Sequence, residues 1–150
     1  MTNRDFRDLL AAFFAHEVRF LIVGGYAVSF HARPRFTKDL DVWVEPTATN
    51  AARVMAALTD FGAPLQAHGV TVHDFATSGA VYQLGMPPNR VDILTAVEGL
   101  EFAPCHERRA AARFADVEVA YVSRQDLIVN KRAVARPQDR IDADELERLG

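Results

Sequence analysis

Asp39 and Asp41 flank Leu40 at the head of an apolar run, Val42-Trp43-Val44. Alternate side chains of a strand project from the same face, so both carboxylates point one way. Like charges this close raise each other's pKa unless a cation compensates, and a divalent metal suits the arrangement. A third acid, Asp92, interrupts Val91-Asp92-Ile93-Leu94, where an unpaired carboxylate is costly to bury. Two partners are open for it. Arg90 or another arginine neutralises it across the sheet, or its strand neighbours that of Asp39 and Asp41 and three carboxylates converge. In the second case the chemistry is that of magnesium or manganese, and two such ions can clamp an in-line phosphoryl displacement.

Phe20-Leu21-Ile22-Val23 reads as a buried strand that ends in Gly24-Gly25. A glycine pair between a strand and a helix places backbone N–H groups and the positive helix end where an anion can sit. The pair lies about fourteen residues before the paired acids, a spacing that joins it to them rather than to an ordinary turn.

The elements that must carry these residues follow from periodicity. Phe6, Leu9, Leu10, Phe13 and Phe14 recur at helical spacing, which predicts an amphipathic helix over about residues 3–17. Strand 20–23 is followed by a helix from Tyr26 to His31, which ends before Pro34. A strand over residues 40–45, a helix over 50–61 closed by Gly62, and strands over 70–75, 81–85 and 90–94 come next. Ser78-Gly79 and Pro87-Pro88-Asn89 separate the last three, which read as a meander. Residues 114–122 alternate like an edge strand. Ser123 caps a helix that runs through Lys131 to a break at Pro137, and residues 141–149 form a short final helix. Trp43 and Phe36 read as core. The order fits one α+β domain over residues 1–150, a mixed β-sheet flanked by helices.

Composition narrows the function further. A net charge of -3 argues against a dedicated nucleic-acid binder with a basic face. A local strip of Arg108, Arg109, Arg113, Lys131, Arg132 and Arg136 could still meet a phosphate backbone. The single cysteine, Cys105, forms no intrachain disulfide, and with His106 alone beside it makes no zinc site. Met1 to Leu10 is polar and charged, and no apolar run approaches the ~18 residues of a membrane span. The expectation is a soluble cytoplasmic protein with no membrane partner. Ser29, His31 and Asp39 lack the nucleophile-elbow sequence that would support a hydrolytic triad.

Taken together, Phe20 to Ala27, His31, Arg35, Thr37, Asp39 to Val44, Val91 to Thr95, Leu127 to Ala133 and Arg136 to Asp139 resemble the DNA polymerase β-like nucleotidyltransferase superfamily. The chain looks most similar to small members related to AbiEii-type toxins and minimal nucleotidyltransferases. The resemblance implies a nucleotidyltransferase-like fold in which Gly24 and Gly25 hold a triphosphate, with Thr37 beside it. Asp39 and Asp41 would bind the metals, Mg2+ or Mn2+, and Asp92 would complete the site and help activate the acceptor hydroxyl. Lys131 would reach the triphosphate. The chain carries fifteen arginines but only Lys38 and Lys131 as lysines. That singles Lys131 out, although an arginine-biased composition with Lys131 on a solvated helix face accounts for it as well. His31, Arg35 and Arg136 match as secondary candidates. Asp139 and Asp142 match too, and fit capping and ion pairing equally well. Relatives often carry glycine where this chain has Ala32.

The implied reaction moves a nucleoside monophosphate from an NTP to a hydroxyl of protein or RNA, in a toxin–antitoxin setting with a partner antitoxin or an acceptor-binding chain. The competing expectation is a catalytically silent nucleotide-binding or antitoxin-like module.

Overall fold

A computed structural model describes residues 1–86 and 88–149 of the chain. Pro87, in the expected Pro87-Pro88-Asn89 turn, lies outside the described residues. Six strands form one mixed sheet among those residues. At its centre β1 (Phe20–Val23) and β2 (Leu40–Val44) run antiparallel, with Phe20 opposite Val44 and Val23 opposite Asp41. On one side β4 (Asn89–Leu94) lies parallel to β2, and β3 (Val81–Met86) closes that flank as its antiparallel partner. On the other side β6 (Val117–Tyr121) lies parallel to β1, and β5 (Ala110–Phe114) is the outer strand. The strand order is therefore β3-β4-β2-β1-β6-β5. This is the α+β mixed sheet that the pattern of apolar runs implies. Strands β1 and β2 are buried almost throughout because both faces of the central sheet are covered.

The helices begin where local chemistry satisfies their free N–H groups. Helix α1 (Asn3–Ala15) opens on a capping box in which Thr2 and Asp5 bond each other's backbone, and it buries Phe6, Leu9, Leu10 and Phe13. Helix α2 (Gly24–His31) follows β1 with no side-chain cap. Thr47 caps α3 (Ala48–Phe61), and Gly62, at φ 96°, ends it in the left-handed conformation. Ser123 caps α6 (Arg124–Val134), and α7 (Pro137–Leu149) begins on Pro137. Proline thus starts the last helix, four residues before the expected Ile141, because a missing N–H is harmless at the first helical position.

Several expectations are corrected. Residues 70–75 are not a strand. Thr71 and Asp74 form a capping box, with the Thr71 N–H donating to Asp74 Oδ2 at 2.8 Å, and this starts α4 (Val72–Ala76) against the β-propensity of the valines. The expected three-strand meander is therefore the β3–β4 hairpin alone. Residues 114–122 are not one edge strand either. Ala115, at φ 55°, turns the chain between β5 and β6, so β6 is interior and β5 is the edge. A short helix, α5 (Phe102–Glu107), was not expected, since Pro104 and the spacing of only two buried residues give little helical signal. Trp43 is core and meets Phe102 edge to face at 5.2 Å, but Phe36 is 84% exposed, on the loop before β2. No described helix is long and apolar enough to cross a membrane.

One buried side chain fastens the central hairpin to its helix. Asn50 of α3 accepts from the Arg19 N–H at 2.8 Å, and its amide donates to the Arg19 and Glu45 carbonyls, both at 3.0 Å. It thereby ties the entrance of β1 and the exit of β2 to α3. Asn50→Ala leaves the Arg19 N–H unpaired, while the two carbonyls keep the Glu45 and Thr47 N–H donors, and should lower stability by about 1–3 kcal/mol in urea denaturation, with the fold retained. A loss below about 0.5 kcal/mol, the size of an ordinary surface change, contradicts this role.

Candidate active site

The parallel pairing of β2 with β4 sets Asp41 directly beside Asp92. Asp39 stands one residue before β2, two before Asp41, so all three carboxylates belong to one end of adjacent strands. Asp41 feels the crowding most. Burial first, then the charges of Asp92 and Asp39, push its pKa from 3.8 up to about 7, with Lys131 and Arg90 offsetting only part of the rise.

The glycine pair is explained by close approach. Val23 pairs with Asp41 across the central hairpin, which brings Gly24 against the Asp41 carboxylate. A Cβ at Gly24 would collide with that carboxylate, and the residue's φ of +67° is one that side-chain-bearing residues avoid. A Cβ at Gly25 would come within 2.8 Å of the Thr37 methyl. Thr37 in turn lies within 3.4 Å of the Ser29 hydroxyl and donates to the Arg35 carbonyl at 3.3 Å. The start of α2, the loop before β2 and Asp41 are thus packed backbone against side chain.

Both partners considered for Asp92 are present. Its strand does neighbour the paired acids, and Arg90 does neutralise it, donating from Nε to Asp92 Oδ1 at 2.7 Å and from Nη2 to Oδ2 at 3.1 Å. Among the described residues, no group of three His, Cys, Asp or Glu side chains is set to hold one cation in this arrangement. The donor chemistry nonetheless fits a hard divalent ion. All three acids offer carboxylate oxygens, the hard donors that Mg2+ and Mn2+ prefer.

Beyond Asp41 an open cleft of about 780 Å³ is lined by Gly24, Gly25, Arg35, Lys131 and Arg136. Lys131 is not on a solvated face. It is buried in α6, with Nζ 3.3 Å from both Asp139 and Asp142 of α7. Arg35 pairs with Asp142 at 2.8 Å and Arg136 with Asp139 at 2.7 Å. Asp139 is held below the usual carboxylate range by its bonds from Arg136 and by the Lys131 charge. Burial raises the pKa of Asp142, but its bonds from Gln138 and Arg35 and the Lys131 charge outweigh that and lower it. Three cations therefore share two buried anions. The sequence pointed to all three cations. What it left open was that Asp139 and Asp142 hold them, although their i,i+3 spacing on one helix face is a signal for it.

Other candidates are placed elsewhere. His31 Nε2 donates to the Val122 carbonyl at 2.7 Å, and burial lowers its pKa, so the ring is a neutral tie between the end of α2 and β6. With Ser29 near Thr37 and His31 bound to backbone, no hydrolytic relay exists. The basic strip is largely spent in ion pairs: Arg108 with Asp126 at 2.9 Å, Arg132 with Asp144 at 2.9 Å, and Lys131 and Arg136 as above. Arg109 donates to the His106 carbonyl. Cys105 is buried, and its thiol is pushed up to about 11, chiefly by burial, which leaves it an inert core residue.

The Asp41 shift has a signed consequence. Because its folded pKa lies above the unfolded value, the folded state binds the extra proton between about pH 4 and 7, and stability conferred below that window is lost as pH rises through it. Metal-free wild type should therefore lose melting temperature between about pH 4 and 7, and Asp41→Asn should flatten that dependence. Equal slopes in the two proteins refute the assignment.

No family profile and no curated protein matches the sequence. Among solved structures, the crystal structure of the lincosamide antibiotic adenylyltransferase LnuA, bound to lincomycin, superposes with a TM-score of 0.63 over 100% of this chain and 99% of that one, at 13% identity. At that identity the likeness concerns the fold: the mixed six-stranded sheet flanked by helices matches the fold of that adenylyltransferase.

Proposed function

We propose that the chain transfers a nucleoside monophosphate from an NTP to a hydroxyl group and releases pyrophosphate. The observation that carries this reading is the placement of Asp41 and Asp92 side by side on parallel strands, at the mouth of a cleft walled by Lys131, Arg35 and Arg136. Carboxylates for cations and cations for phosphates thus face one another across the start of α2. The likeness to an adenylyltransferase fold supports the same class of reaction.

Each residue has a defined task in this reading. The first-turn N–H groups of α2 at Gly24 and Gly25, free of any side-chain cap, receive phosphate oxygens. Lys131, with Arg35 and Arg136 beside it, draws the triphosphate into the cleft and opposes charge that builds on the departing pyrophosphate. Asp39, Asp41 and Asp92 would hold Mg2+ or Mn2+, which when bound neutralises phosphate charge and makes the acceptor hydroxyl easier to ionise. Asp92 accepts the acceptor's proton. The acceptor oxygen then forms a bond to the α-phosphorus as the bridging α–β phosphate bond breaks.

On the acceptor, the ion pairing of the arginine strip speaks against an RNA backbone and leaves a protein side chain or a small hydroxylated molecule. The small-molecule reading is favoured by the antibiotic adenylyltransferase likeness. A toxin–antitoxin setting with a partner chain, in the cytoplasm, is the proposed biological context that follows from the resemblance to AbiEii-type proteins.

The direct test is transfer of label from α-labelled NTPs to candidate acceptors with Mg2+ or Mn2+, comparing wild type with Asp41→Asn. Turnover should fall at least about 100-fold in the variant. Equal transfer in both proteins places the chemistry elsewhere. Nucleotide binding by calorimetry with no transfer in either protein, across acceptors, establishes the silent nucleotide-binding module instead.

A further inference from the structure

Among the described residues, Arg90 is the cation of the carboxylate cluster that shares a strand with its partner. It sits two residues before Asp92 on β4, on the same face, and its guanidinium grips both Asp92 oxygens, at 2.7 and 3.1 Å. Nη2 also lies 3.6 Å from Asp39 Oδ2, and the Arg90 backbone N–H donates to Asp39 Oδ1 at 3.3 Å. Arg90 therefore bridges two of the three acids, while among the described residues no guanidinium pairs with Asp41. A fork engaged with both oxygens of a carboxylate takes up about two of its four lone-pair directions and offsets its charge, so a second cation has to compete for that group. Arginine also keeps its charge at any working pH, so this contact does not release by deprotonation.

We propose that Arg90 is a built-in counter-cation that competes with the divalent ion for Asp92 and Asp39, and so sets how tightly the site takes a metal. Asp92 and Asp39 share this guanidinium in the resting protein, and an arriving cation must compete with it for their oxygens. A nucleotide triphosphate eases the exchange, because its phosphate oxygens offer the released fork a bidentate partner of the same kind. Arg90 is in this sense a positioning residue that acts through the carboxylates. The inference rests on the proposed assignment of Asp39, Asp41 and Asp92 as cation-binding groups.

The test reads metal binding rather than turnover. Mn2+ is titrated into nucleotide-free protein and its free fraction is followed by electron paramagnetic resonance, for wild type, Arg90→Gln, Arg90→Lys and Asp41→Asn. Arg90→Gln should bind Mn2+ at least about 10-fold more tightly than wild type, having lost both fork and charge. Arg90→Lys keeps the charge without the fork and should still gain several-fold. It carries the test by itself if the glutamine variant fails to fold. In EDTA the glutamine variant should melt below wild type, and Mn2+ should restore it. An Arg90→Lys affinity equal to that of wild type shows a general charge effect and overturns the competition, as does weaker binding in both variants. Asp41→Asn separates the two readings. If it weakens Mn2+ binding while the Arg90 variants do not move, the competition alone fails. If it leaves Mn2+ binding unchanged, the carboxylate assignment fails first.

Discussion

Crowded negative charge at the end of β2 and β4 is the constraint around which the rest is arranged. Parallel pairing of these strands puts Asp41 next to Asp92, and a spacing of two residues adds Asp39 on the same face. Three carboxylates in a half-buried setting repel, and the protein answers in two ways. Arg90 offsets Asp39 and Asp92 by direct contact, and burial together with the charges of those two acids pushes the Asp41 pKa up to about 7. That residual imbalance is what the proposed divalent cation would relieve.

The cleft beyond shows the opposite imbalance. Lys131, Arg35 and Arg136 outnumber Asp139 and Asp142, the two buried anions that position them. Burying the anions more deeply than Arg35 and Arg136 has a physical logic. A carboxylate with several donors around it is satisfied in the interior, while the longer basic side chains reach outward from it to the cleft. The N-terminus of α2 lies between the two charge fields because Gly24 has no side chain to hold the Asp41 carboxylate away. Substrate phosphates and carboxylate-bound cations would thus meet over a single turn of backbone.

Much of this is legible in the sequence itself. The glycine pair, the Asp39 and Asp41 spacing, Asp92 inside an apolar run and Lys131 as one of two lysines were each visible as types in position. So were most elements, since α1, β1, β2, α3 and β4 have strong periodicity or clear punctuation. The misreadings share a cause. At residues 70–75 a side-chain cap overrode β-propensity, and at 114–122 a turn made by one non-glycine residue at positive φ was hidden inside an alternating run. Phe36 shows that an aromatic beside core residues in sequence need not share their burial.

Local rules determined which groups exist and which of them share a strand face or a helix face. They could pair Asp39 with Asp41, and Asp139 with Asp142, because those pairs are separated by one repeat of their element. They could not choose between Arg90 and a neighbouring strand as the partner of Asp92, nor between a solvated and a buried Lys131. Those outcomes depend on strand order and on how α6 packs against α7, which are decided by contacts between segments far apart in the chain. Only the folded sheet brought Asp41 beside Asp92 and against Gly24, because register is a property of two strands and is written in neither one alone.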